Sequence, residues 1–326
     1  MTLLTREGLL SFLILFFFSC EKGEIPVNLD RSELKITQIN LESNYAKQVF
    51  YNIKQNSIIS SNIKTEWDLG FGNEEGVFNI IINSSVFSQI KKINNLLFEE
   101  VTTIPDSINW SWDDPSNTSN TAIGNSWGNN ITYIIDLGFD IDGNSRGYKK
   151  FKVDTFSNNY YIITVSNLNN SELRTIQIPK NENLQYTRFS LDSSTIISSP
   201  NKDDWDLLFS QYTHLYADSI VPAYLVTGTL INQKSGIEVA IDSVNTFSDI
   251  IFSNINNYTF KNNQDIIGYN WKLYDFDNGY YIINSNISYI IKNTEGRYYK
   301  LRFIDFYNDV GVKGYPTFEV QEILPF

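Results

Sequence analysis

The chain is expected to be all-β, built mostly of antiparallel sheets in two related units placed in tandem, with few short helices. Three observations carry this. First, of 326 residues 15 % are aromatic, with 20 Tyr and 22 Phe, and Ile is plentiful; β-branched and aromatic side chains suit pleated, half-buried surfaces. Second, several segments alternate charged and apolar residues with period 2, as in Lys150-Phe151-Lys152-Val153 and Lys300-Leu301-Arg302-Phe303. That pattern marks antiparallel strands with one wet face. Third, one phrase occurs twice at a fixed spacing. Ser57-Ile58-Ile59-Ser60-Ser61 followed by Trp67-Asp68-Leu69-Gly70-Phe71 returns as Thr195-Ile196-Ile197-Ser198-Ser199 followed by Trp205-Asp206-Leu207-Leu208-Phe209, each residue 138 positions later.

Taken in order, residues 1–19 form a targeting segment. Arg6 precedes the apolar run Leu9 to Phe18, which has the length of a signal h-region and is too short to span a bilayer. Ser19-Cys20 follows directly, the arrangement of a bacterial lipoprotein signal. Cys20 is the only cysteine, so it forms no internal disulfide. Acylated, it would anchor the protein to a membrane without spanning it. The acidic stretch behind it, Glu21-Lys22-Gly23-Glu24, resembles surface-export signals of Bacteroidota lipoproteins and points to the outer face of the outer membrane. Residues 20–37 read as a polar tether.

The first unit covers 38–180 and the second 181–326, joined at the turn-rich Pro179-Lys180-Asn181-Glu182-Asn183. Each runs from a strand pair into Trp-Asp-Leu-x-Phe, then through a variable middle to Ile-Gly-x-x-Trp, as Ile123 to Trp127 and Ile267 to Trp271. Next comes an apolar strand, Ile131 to Ile135 or Ile287 to Ile291, a Gly turn at Gly143 or Gly296, and the alternating return strand, which together signal a hairpin. Gly314 to Gln321 is a closing strand. Phe87 to Asn94 and Val244 to Ile250 could each form one or two helical turns.

The net charge of −12 opposes binding to phosphate backbones, so nucleic acid is not an expected partner. An enzyme is not expected either. There is one histidine, His214, no Gly-x-Ser-x-Gly elbow, no P-loop or dinucleotide fingerprint, and too few His and Cys for a zinc site. Asp140-Ile141-Asp142-Gly143-Asn144 starts like a calcium loop, lacks the closing glutamate, and sits where a hairpin needs a turn. Trp110 and Trp112 share one strand face, as core residues or as an exposed platform for a sugar ring. The Trp-Asp pairs at 67–68 and 205–206 occupy the same place in both copies, which favours scaffold over site. His214 differs: its counterpart in the first copy is Gly76, so the scaffold does not require it. It lies beside Tyr212 and Tyr216. Neutral imidazole is a good axial ligand for haem iron, and phenolate is a possible one.

The second unit resembles the HmuY family of Bacteroidota haem-binding lipoproteins through Trp205 to His214, Tyr224-Leu225-Val226-Thr227-Gly228-Thr229-Leu230-Ile231-Asn232, Ile267-Gly268-x-x-Trp271-Lys272-x-Tyr274, and Tyr298 to Asn308. The first unit matches more loosely. The resemblance implies an all-β fold, haem as ligand, a lipid anchor, and delivery to a TonB-dependent outer-membrane receptor. The family's founding member holds haem iron between two histidines, and relatives use methionines. This chain departs from both: it has one His and one Met, and that methionine is Met1. The candidate ligand set is therefore His214, alone, with Tyr212 or Tyr216, or shared between two protomers. The alternatives are a non-haem module for glycan, peptide or another porphyrin, and a structural accessory of an outer-membrane receptor.

Overall fold

The computed structural model describes residues 32–117, 121–124, 131–216 and 222–325. Cys20, Trp127 and the signal segment lie outside them. Among the described residues no helix is long and apolar enough to cross a membrane. The strands are β1 Lys35–Gln38, β2 Lys47–Asn52, β3 Ser57–Ile63, β4 Leu69–Gly72, β5 Ile80–Ile82, β6 Gln89–Asn94, β7 Ile131–Asp136, β8 Tyr148–Phe156, β9 Tyr160–Ser166 and β10 Arg174–Pro179. They continue as β11 Tyr186–Ser190, β12 Thr195–Ile197, β13 Leu207–Leu215, β14 Ala223–Ile231, β15 Glu238–Asp242, β16 Lys272–Asp275, β17 Tyr280–Ile283, β18 Ser288–Lys292, β19 Tyr298–Tyr307 and β20 Lys313–Ile323.

All strand pairings among the described residues are antiparallel, as the alternation predicts. Sheet β10-β9-β8-β7-β6 packs on sheet β12-β11-β4-β5 around Leu69, Phe71, Tyr133, Phe151, Tyr161 and Phe189. Sheet β1-β20-β19-β18-β15 packs on sheet β14-β13-β2-β3 around Tyr51, Leu207, Phe209, Trp271, Phe303 and Phe318. The expected hairpins are present as β7-β8 and β18-β19.

The sheets do not divide where the sequence repeats divide. Hairpin β2-β3 opens the first copy, yet β2 pairs with β13 of the second. Hairpin β11-β12 opens the second copy, yet β11 pairs with β4 of the first. The register is the same at both joints: Phe71 faces Thr187 and Phe209 faces Val49, Leu69 faces Phe189 and Leu207 faces Tyr51. Each copy therefore lends its first hairpin to the other. Grouped by sheets, strands within 69–197 pack on one side and those within 32–63 and 207–325 on the other.

Chain length explains the exchange. β3 is parallel to the strand its hairpin completes, because β2 lies between them antiparallel to both. To serve its own copy, the chain would have to cross from β3 to β4 as a parallel connection. Such crossovers need a dozen or more residues, and only 64–68 are available. The second link, 198–206, is also too short.

Three expectations change. Phe87 to Asn94 is not helical: residues 89–94 form β6, whose Ile90 and Ile93 enter apolar clusters. The second candidate yields only a 3₁₀ turn at Phe247–Asp249. The tether ends earlier, because β1 pairs with β20 from Lys35 onward.

Candidate functional site

The duplicated Trp-Asp phrase is scaffold at atomic detail. Trp67 and Trp205 are buried. Asp68 Oδ2 accepts from Leu191 N (2.7 Å), and Asp206 Oδ2 accepts from Ile53 N (2.7 Å). Each carboxylate thus clamps the turn of the hairpin received from the other copy. Asn83 Nδ2 donates to Lys64 O and Trp67 O, and Asn232 Nδ2 donates to Lys202 O and Trp205 O. The alternating lysines are duplicated too, but not as a wet face. Lys150 and Lys300 are buried. Lys150 Nζ donates to Phe98 O and Val101 O, Lys300 Nζ to Phe247 O and Ile250 O. Loops crossing the outer sheet face supply those carbonyls.

Where the copies differ is the end of β13. The first copy's β4 stops at Gly72, whereas β13 runs on to Leu215, paired with β14 throughout. This extension carries Tyr212 and His214. The His214 ring meets Tyr216 edge-on at 4.8 Å and Tyr269 at 5.2 Å. Tyr216 and Tyr269 hydroxyls are 3.2 Å apart. His214 Nδ1 lies 3.7 Å from Asp265 Oδ2, and the side chain is 23 % exposed. Nδ1 itself is buried without a hydrogen bond, so the exposed part of the ring is the side away from Asp265. Asp265 Oδ2 also accepts from Ser116 Oγ at 2.7 Å.

Of the predicted residues, His214 and Tyr216 come together at the surface, and Tyr212 meets the His214 ring edge-on at 6.5 Å from beneath. It is buried among Phe50, Trp205, Leu208 and Val226. Burial pushes its phenol well above the ordinary range, which disfavours a phenolate ligand. Tyr269 and Asp265 were not anticipated. One signal could have found Tyr269: it fills a variable position of Ile-Gly-x-x-Trp where the first copy has Asn125.

Apolar surface surrounds this end of the sheet. Tyr224, directly across from His214, is 59 % exposed. Hairpin β16-β17 shows Leu273, Phe276, Tyr280 and Ile282 to solvent. Trp110 is half-buried, stacked on Tyr148 at 6.1 Å with Lys91 Nζ over the Trp110 ring at 4.8 Å from its centre. Asp140 takes the turn role expected of it, accepting from the amides of Asp142 and Asn144. Among the described residues no group of His, Cys and carboxylates has the arrangement of a metal site.

The family model described as HmuY protein matches the chain twice, over residues 44–188 and 180–320. The chain belongs to the HmuY family. Both matches begin before the Trp-Asp phrase, so each HmuY unit includes the hairpin it lends away. Solved structures similar to the chain include apo PinO from Porphyromonas gingivitis, at 8 % identity over 90 % of this chain and 98 % of that one, TM-score 0.30. Another is the apo HmuY analog of Tannerella forsythia, at 10 % identity over 91 % and 100 %, TM-score 0.25. No curated protein matches the chain.

Proposed function

We propose that this HmuY-family protein is a surface-anchored lipoprotein that captures haem, with His214 as the axial ligand, for delivery to a TonB-dependent receptor. The observation that carries the proposal is the His214–Asp265 pair at the end of β13. An imidazole that ligates iron is commonly oriented by a carboxylate at its other nitrogen, and Asp265 stands on that side. Tyr216 and Tyr269 fix the ring from two directions. Exposed Tyr224 and the β16-β17 hairpin supply apolar surface for a porphyrin face. Tyr216 is the remaining candidate for a second ligand. Cys20 is the proposed anchor and the outer face of the outer membrane the proposed location.

The test is a haemin titration of residues 21–326, oxidised and reduced, followed by Soret absorbance. Wild type should saturate with a low-spin or His-type five-coordinate spectrum. His214→Ala should abolish that spectrum. Asp265→Asn should weaken affinity by about tenfold through the ligand's orientation. An unchanged spectrum and affinity in His214→Ala removes His214 from the site. Saturation by a glycan in place of haemin would favour the non-haem alternative.

A further inference from the structure

We propose that the cleft between the two four-stranded sheets binds a small organic carboxylate, anchored on Arg188. Arg188 projects from β11, opposite Gly70 on β4. Its guanidinium carbon is 4.8 Å from the Phe50 ring centre and 4.9 Å from that of Trp67. The rings thus take up its apolar contacts and leave its N–H edge for acceptors. Guanidinium carries five donors and stays charged in proteins. Among the described residues only one bond from it forms, a long one from Nη1 to Asn62 Oδ1 at 3.4 Å. Among the described residues Arg188 has no carboxylate in ion-pair contact. Arg188 is half-buried; a partly desolvated cation without an anion is costly, and a bound anion would reduce that cost.

The space beside it fits a small one. A cavity of about 100 Å³ opens between the sheets, walled by Arg188, Trp67, Trp205, Gln211, Tyr186 and Lys234. That volume exceeds what one water needs several times over. Two carboxylates also line the cavity: Asp113 accepts from Ile82 N and Ala122 N at 2.8 Å each, and Asp114 Oδ1 accepts from Ser116 N. Lys234 adds a second positive charge, resting 4.6 Å from the Tyr186 ring centre. A planar carboxylate matches the guanidinium fork with two parallel bonds, and the indole rings would cover a short tail.

The copies show that this is built on one side only. Arg188 corresponds to Phe50, and Gly70 to Leu208, at the fixed spacing of 138. A Cβ at Gly70 would come within 2.7 Å of Ile81 Cγ1, so the bare backbone there belongs to the close approach of these side chains. His214 does not line this cavity, and the proposal does not rest on haem binding.

The experiment titrates residues 21–326 with acetate, propionate and butyrate at constant ionic strength in a carboxylate-free buffer, read by tryptophan fluorescence. The expected result is saturation with roughly millimolar Kd, as few-atom ligands give. Arg188→Gln should raise Kd at least tenfold, and Arg188→Lys should fall between. Ile81→Trp, which fills the cleft and keeps Arg188, should also abolish binding. Propionamide serves as the neutral isostere and needs no variant: it should not bind. The proposal is overturned if wild type shows no saturable change, if propionamide binds like propionate, or if folded Arg188→Gln keeps the wild-type Kd.

Discussion

Asp68 and Asp206 hold the same backbone position and make the same bond, yet replacing them should have opposite effects. Each accepts one amide from an exchanged hairpin at 2.7 Å. Asp68 also faces Arg146, whose Nη2 is 2.8 Å from Oδ1, with the Asp68 side chain fully buried and that of Arg146 10 % exposed. Among the described residues Asp206 has no cation in ion-pair contact, and burial pushes its carboxyl up to about 6 with Glu295 adding to the push, whereas at Asp68, where burial also pushes upward, Arg146 and the Leu191 amide pull back. Asn retains an acceptor for the amide and removes the charge. Asp68→Asn then strands Arg146. Losing one partner of a buried pair costs about 3–5 kcal/mol. Arg146 keeps Asp192 at 3.3 Å and the Leu137 carbonyl, so about 2 kcal/mol is expected. Asp206→Asn removes a charge the site disfavours. A folded pKa raised above the unfolded value means that the proton is bound more tightly in the folded state. The wild-type contribution is therefore fully present below about pH 4 and lost as pH rises through about 6. Asp206→Asn should be neutral at pH 4 and stabilise by about 1 kcal/mol at pH 7.5, discounting the full 1.4 kcal/mol per pKa unit for relaxation around the site. Urea unfolding of residues 21–326 at both pH values measures this. Equal losses for the two variants, or a larger loss for Asp206→Asn, would refute the assignment of Arg146 as the difference.

Three further outcomes follow from the same contacts. Lys272 is buried against Trp271 and Phe306, bonds to Thr227 O, pairs with no carboxylate among the described residues, and is pushed down to about 7 by burial. Lys272→Met should stabilise by about 1–2 kcal/mol at pH 7 or below. Because the folded pKa is depressed, the advantage should fade as pH rises toward 10.4, which a pH series of melting curves reads. A protease site placed at 181–183, where the chain is exposed, should give two fragments that still co-elute on gel filtration, since each holds a hairpin of the other's sheet; separate elution in native buffer would contradict the exchange. Tyr216→Phe should leave the haem Soret spectrum of wild type if His214 is the only protein ligand and alter it if the phenol supplies the second, so paired oxidised and reduced spectra decide the ligand set.

The fold class was legible because alternation and β-branched composition act locally. Lys150-Phe151-Lys152-Val153 announces a strand whatever it pairs with. What that strand's polar side meets is not local, and Lys150 is buried because Phe98 and Val101 bring carbonyls over it. Segment 87–94 shows the same limit: its apolar positions at 90 and 93 suit a helix face, but pairing with β7 over the whole of 89–94 decides the matter. At the candidate site His214 stood out through asymmetry between copies. Asp265 could not, because no spacing rule links it to residue 214, and only the path of the chain before Gly268 brings it there.

The exchange of hairpins ties these observations together. Two links too short for a parallel crossover oblige each copy to complete the other's sheet. The phrase at the end of those links must then do the same work twice, so Trp, Asp, Leu and Phe recur. The fourth position of the phrase is free of that duty because it points out of the shared core. It is Gly70 in one copy and Leu208 in the other, and the surfaces that diverge are those where the copies meet and where β13 runs on. Duplication conserves the interior for folding and releases the seam and the strand end. Those two released regions hold both proposed sites, Arg188 in the seam and His214 at the strand end.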